Sequence, residues 1–315
     1  MIGKDKALEV VGYLIEHGVK DTCAAYDLSE ETLNRYKREA KKHFGDSLDA
    51  VIKLSENYSL AELNRLATGG LTNPNNQKKL KVDFKGEEVT FGVMSDTHIG
   101  SKWTDPDYIL DAFEEMDKQG CSMILHAGDL VEGMMGRPGD VYELTNIGYK
   151  QQKAEAIRIF SQWKKPLYIP SGNHDLSYNI KLGAGLDIVE DVCNNLPDAH
   201  YVGVNDGNLV INGVDIKLWH GGDGSSYSLG YRDQKLIESF TGGEKPHVLI
   251  TGHIHKAYYF FYRNVHTIGA GSMQKQSGWM RAKKIQAHTG FWVVKACFAK
   301  DEVKWIAPRW YPFYV

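Results

Sequence analysis

Ser171-Gly172-Asn173-His174-Asp175 follows the apolar run Pro166-Leu167-Tyr168-Ile169-Pro170. Gly-Asn is ordinary turn chemistry after a strand. Here the turn also sets an amide, an imidazole and a carboxylate in immediate succession. Four further short apolar runs, at 89–96, 122–129, 214–221 and 247–255, end the same way, in glycine with polar or ionisable residues. Helical patterns over 106–119, 148–163, 185–194 and 230–240 lie between these runs. Strands alternating with helices predict an α/β core. Asn212-Gly213 between two apolar runs predicts a hairpin, and the β-rich segment after His255 predicts further antiparallel pairing.

The amino-terminal region differs. Ala7, Val10, Val11, Leu14 and Ile15 follow helical spacing up to Gly18. A short helix over 20–26 and a turn at Asp27-Leu28 should follow. Ser29 is a good N-cap for a third helix to about residue 44, with Glu30 and Glu31 at its positive end and Leu33, Tyr36, Ala40 and Phe44 facing inward. Further helices are expected over 48–55 and 60–67. This gives a helical domain over 1–70, a linker over 71–87 and an α/β domain over 88–315.

The 315-residue chain has a net charge of −3, too small to name a partner, so any basic surface must be local. Its four cysteines are scattered without framework spacing, which suits a reducing compartment. The start lacks a signal-peptide pattern and no apolar run reaches membrane-spanning length, so a soluble cytoplasmic protein is expected.

Ligands of open α/β sheets bind beyond the carboxyl ends of the strands. Those ends carry Asp96, His98, Asp129, Asn173, His174, Asp175, His220, His253 and His255. Asp96 and His98 are expected to alternate along an extended segment and so point to one side, as are His253 and His255. Imidazoles and carboxylates with one amide oxygen suit Mn, Fe or Zn. The set is too large for one open site and suits two metals sharing a carboxylate. His126 reads as a structural imidazole.

In order and spacing, "SDTHIG", "GDL", "GNHD", "WHGG" and "GHIH" resemble the five motifs of the calcineurin-like metallophosphoesterase superfamily, over residues 88–270. The resemblance implies a four-layer αββα sandwich, here with a small all-α amino-terminal domain. It also implies two divalent metal ions, Mn2+ first, with Fe, Zn or a mixed pair as alternatives. Asp96, His98 and His255 would hold the first, Asn173, His220 and His253 the second, and Asp129 would bridge. Hydroxide formed between the cations would attack phosphorus, His174 would serve the leaving group, and Asp175 would orient His174.

"SDTHIG" and "GNHD" look closest to the DNA-repair exonuclease branch. The segment 19–42 is similar to helix-turn-helix units of resolvases and phage terminase small subunits. Its third helix crowds Arg35, Lys37, Arg38, Lys41 and Lys42, which would meet DNA. The alternative is a helical assembly unit, forming a homo-oligomer, with a solvated basic face. Residues after His255 look like sheet-completing strands rather than a capping domain, which argues against processive exonuclease action. The expected function is a nucleic-acid phosphodiesterase recruited to DNA. Its rivals are a small-molecule phosphatase or cyclic-nucleotide phosphodiesterase, and a non-catalytic DNA-binding or polymerase-accessory protein.

Overall fold

A computed structural model describes residues 4–44, 48, 79–136, 139–179, 185–222, 224, 228–240 and 244–314. The chain divides into two compact units, Met1–Asn76 and Gln77–Val315.

In the first unit, α1 (Lys4–Tyr26) is broken at Gly18, whose φ of 79° and ψ of 174° are not helical. α2 (Glu30–Phe44) follows, and the Thr32 amide donates to Ser29 Oγ at 3.2 Å, so Ser29 caps it. Ala7, Val10, Val11, Leu14, Leu33, Ala40 and Leu48 form the core between these helices. The helices expected over 48–55 and 60–67 lie, apart from Leu48, outside the described residues.

The second unit is built on two six-stranded sheets. One has the order β12-β11-β2-β3-β4-β5, from β2 (Glu88–Met94), β3 (Ile124–His126), β4 (Leu167–Ser171), β5 (Ala199–Val204), β11 (Gly290–Ala299) and β12 (Glu302–Pro312). The other has the order β1-β6-β7-β8-β10-β9, from β1 (Leu80–Val82), β6 (Asp206–Ile211), β7 (Val214–Trp219), β8 (Val248–Thr251), β9 (Ala257–Tyr262) and β10 (Val265–Ala270). Asn212 and Gly213, both at positive φ, make the β6–β7 turn.

The period-2 pattern of the buried strands explains the layers. Val89, Phe91 and Val93 of β2 point between the sheets, where they meet Leu209, Ile216, Leu218, Val248 and Ile250. Met94, Ile124 and Ile169 point the other way, against α3 (Pro106–Lys118), α4 (Gly148–Phe160) and α5 (Ile188–Cys193). α6 (Tyr231–Ser239) covers the second sheet through Ile237, Leu249 and Val265. The result is a four-layer αββα sandwich.

One expectation needs correction. Residues 80–82 lie within the stretch read as a linker, yet they form β1, parallel to β6 with Leu80 opposite Leu209. The run Leu80-Lys81-Val82 is short enough to pass for loop, and its pairing partner lies far along the chain. Among the described residues, no helix is long and apolar enough to cross a membrane, and all four cysteines are free.

Candidate metal centre

β2, β3 and β4 run parallel in one sheet, and β7 and β8 in the other. The loops after these five carboxyl ends bring the histidines and carboxylates together. Asp96, His98 and His255 form one group of potential ligands, and Asp129, His220 and His253 another, with the ligand atoms of each group within 4.8 Å of one another. In the first, His255 Nε2 lies 3.2 Å from Asp96 Oδ1 and 3.3 Å from His98 Nε2. In the second, His220 Nε2 lies 3.1 Å from both Asp129 Oδ2 and Asn173 Oδ1. The same Asp129 oxygen is 3.7 Å from His98 Nε2, so it stands between the groups.

Donors bound about 2.1 Å from one ion must lie roughly 3.0–3.4 Å from each other. The spacings of 3.1–3.3 Å match that requirement, and the 3.7 Å from His98 Nε2 to the Asp96 and Asp129 oxygens is slightly wider. His98 and His255 turn the same nitrogen to one point, and His255 Nδ1 is buried without a hydrogen-bond partner among the described residues. Nitrogen and oxygen donors in this mixture fit two borderline divalent cations.

The backbone is bent to achieve this. Asp96, His98, Asp129, His253 and His255 have φ of 52°, 42°, 52°, 76° and 53°. Left-handed φ is uncommon outside glycine, and such strain collects at functional sites. This corrects the expected extended alternation: β2 ends at Met94 and β8 at Thr251, and left-handed bends beyond those ends, not strand pleating, turn the side chains inward.

Supporting contacts fix the rings of His220 and His98. His220 Nδ1 donates to the Ala127 carbonyl at 2.8 Å, which leaves Nε2 for a cation. His98 Nδ1 is 3.0 Å from Glu132 Oε2, and Gln274 Nε2 donates to the same oxygen at 2.9 Å. The His253 amide donates to Asp96. Arg232 of α6 is buried, and its guanidinium donates to the carbonyls of His220 and Gly252 at 2.7 and 3.1 Å. Glu132 and Arg232 escaped the sequence reading. Only the short spacing Asp129-x-x-Glu132 could have flagged the first, and nothing local flags the second. His126 is a buried structural imidazole whose Nδ1 accepts from the Gly128 amide.

The role expected of Asp175 is corrected. Its carboxylate accepts from the backbone amides of Gly172, Leu130 and Val131 at 2.8, 3.1 and 2.9 Å, and so ties the GNHD turn to the GDL turn. His174 is oriented otherwise: its amide donates to Asp129 Oδ1 and its Nδ1 to the Glu132 carbonyl, both at 2.8 Å. Adjacent side chains in the 3-10 turn that starts at Asp175 diverge, so neighbours in sequence need not be partners. Gly172 is required by close approach, because a Cβ there would overlap the Asp129 carboxylate.

Burial alone would raise Asp96 and Asp129, but neighbouring imidazoles, chiefly His255 for the first and His220 for the second, hold both carboxyls far below the ordinary range. Burial pulls His220 down, yet Asp129 and Asp96 push it to about 9. Burial, then His220, lowers His253 to about 4. Burial also keeps His174 below its ordinary value against the pull of Asp129. Asp96, His98, Asp129, His220 and His255 are buried, whereas Asn173, His174 and His253 are partly open and mark the approach.

The model of the calcineurin-like phosphoesterase superfamily domain matches residues 89–286. The chain belongs to that superfamily. The matched stretch contains every strand end of the centre. Curated relatives are two proteins named DNA polymerase II small subunit. The one from Methanothermobacter thermautotrophicus is 26% identical over 65% of this chain and 52% of its own length. The one from Methanocaldococcus jannaschii is 25% identical over 63% of this chain and 41% of its own. The chain therefore spans about half the length of the curated relatives it matches. Among solved structures, a novel archaeal phosphodiesterase is 16% identical, covering 71% of this chain and all of that one, with a TM-score of 0.42.

The superfamily typically binds divalent metals, and all seven residues expected as ligands lie in one cluster here. The five residues expected to touch DNA lie on α2 of the other unit. Arg35, Arg38 and Lys42 are exposed, while Lys37 and Lys41 are half-buried. Arg35 pairs with Glu31 at 3.4 Å and Lys42 with Glu39 at 2.6 Å.

Proposed function

We propose that this phosphoesterase is a phosphodiesterase of nucleic acid. Asp96, His98 and His255 would hold one divalent cation, Asn173, His220 and His253 another, and Asp129 would serve both. The observation that carries the reading is the place of Asp129 Oδ2, within reach of His98 on one side and His220 on the other. When bound, two divalent cations ease the ionisation of water and offset charge on phosphoryl oxygens. The chain's own residues do the rest. Asp129 Oδ1 holds the His174 amide, so the carboxylate that serves the cations also sets the imidazole. With Nδ1–H committed to Glu132, only His174 Nε2 can pass a proton to the leaving oxygen. Burial favours the neutral imidazole, so Nε2 would first take a proton from solvent, as an anionic substrate raises its basicity, and then pass that proton on.

DNA as substrate class is supported by the names of the curated relatives and by the exposed Arg35, Arg38 and Lys42 of the helical unit, read as a helix-turn-helix recruiting module. A second reading, a non-catalytic polymerase-accessory subunit, draws on the same names. The unbroken donor set favours catalysis, since a scaffold would not need it. The test is a panel of DNA, RNA and small phosphodiesters with Mn2+. Cleavage of DNA that is lost in Asp129→Asn supports the nuclease. Turnover of small esters alone returns the choice to a small-molecule enzyme, and inactivity with every metal favours the scaffold. Glutamate in place of Arg35, Arg38 and Lys42 should weaken DNA binding and its salt dependence without altering small-ester turnover.

A further inference from the structure

Next to the centre the surface changes character. Residues 271–289, between β10 and β11, contain four lysines and arginines and no aspartate or glutamate, within a chain of net charge −3. Part of this basic run is anchored on the metal ligands. The amides of Met273 and Gln274 donate to the Asp96 carbonyl, both at 3.2 Å. The next amide, Lys275, donates to the Trp103 carbonyl at 2.9 Å. Gly278, which opens α7 (Gly278–Ala282), lies against the Trp103 ring.

Trp103 belongs to the loop leaving His98, fastened by Thr104 Oγ1 donating to the carbonyls of Thr97 and His98 at 2.8 and 3.0 Å. Its indole donates to Glu143 Oε2 at 2.5 Å, which pins the 3-10 turn Asp140–Glu143. Two exposed aromatic side chains therefore stand on segments joined through Trp103: Tyr142 is 81% exposed and Trp279 52%. Arg281, Lys283 and Lys284 follow Trp279, all exposed.

The geometry points to a shelf beside the centre that binds single-stranded nucleic acid, with Trp279 and Tyr142 stacking on unpaired bases and Arg281, Lys283 and Lys284 meeting the phosphates. The inference rests on the proposed phosphodiesterase reading and names its substrate class. Bases in a duplex already stack on each other and cannot use an aromatic face, whereas unpaired bases can. A run free of acidic residues suits a polyanion, and segments bonded to Asp96 and His98 would lead that strand to the cations.

The test uses the full chain in EDTA, with anisotropy of labelled oligothymidylate and of a labelled duplex. Wild type should prefer the single strand. Trp279→Ala with Tyr142→Ala should weaken single-strand binding by about tenfold or more and duplex binding by no more than about twofold, with the melting temperature unchanged. Lys283→Glu with Lys284→Glu should weaken both ligands and flatten the salt dependence. Preference for duplex, or aromatic variants that bind like wild type, would overturn the shelf. So would a wild type that binds no oligonucleotide, which would leave the face to an acidic protein partner. Turnover of bis(p-nitrophenyl) phosphate by wild type with Mn2+ separates the two readings. Turnover without oligonucleotide binding sinks the shelf alone, and single-strand binding without turnover keeps the shelf and removes catalysis.

Discussion

At residue scale, the GNHD turn divides its work among three neighbours. Asn173 offers an amide oxygen beside His220, His174 faces the approach, and Asp175 locks the turn to backbone amides. His174→Ala should retain both metals, measured by elemental analysis, while phosphodiester turnover falls by about 10²- to 10⁴-fold. Loss of metal in that variant would move His174 from proton transfer to ligation. Glu132 makes a separate prediction because it steadies His98 without facing the cations. Glu132→Gln should weaken metal binding by about 10- to 100-fold, read by Mn2+ titration calorimetry. An unaltered isotherm would reduce Glu132 to a surface contact of the loop.

At element scale, α6 acts as a clamp across the second sheet. Arg232 bonds the carbonyl of His220 after β7 and that of Gly252 before His253, and its guanidinium lies 4.2 Å from the Trp219 ring. Arg232→Leu should cost about 2–4 kcal/mol in urea unfolding and loosen metal binding. Lysine should restore little, because a single ammonium cannot span two carbonyls as a fork does. A loss below about 0.5 kcal/mol would show that the clamp is idle. The strands and the order of the ligands were legible in the sequence because buried parallel strands are apolar runs punctuated by glycine. Asn212-Gly213 and Ser29 announced their turn and cap by chemistry that acts within a few residues. The left-handed bends at Asp96 and His253, the clamp from Arg232 and the pairing of β1 with β6 were not legible. Each depends on partners distant in sequence, as does the real use of Asp175.

At the scale of the whole molecule, the centre is a store of buried charge that links stability to pH. In the metal-free chain His220 is raised to about 9 from 6.5, so its contribution is complete below about 6.5 and is lost as pH rises through 9. Asp175, pushed to about 8 by burial and then by Asp129, acts in the same direction, since the unfolded chain releases that proton first. EDTA-treated protein should therefore lose melting temperature between pH 6.5 and 9. Metal binding requires neutral imidazoles, so the gap between Mn2+-loaded and metal-free protein should widen over the same range. A constant gap would show that these groups do not titrate as the buried cluster requires.

The central claim is that one carboxylate serves two cations in a centre that hydrolyses phosphodiesters. It is tested most directly by titrating Mn2+ into the metal-free chain while following turnover of bis(p-nitrophenyl) phosphate, for wild type and Asp129→Asn. The account predicts activity that saturates at about two ions per chain and falls at least about 10²-fold in the variant. Saturation at a single ion, or a variant as active as wild type, would contradict it.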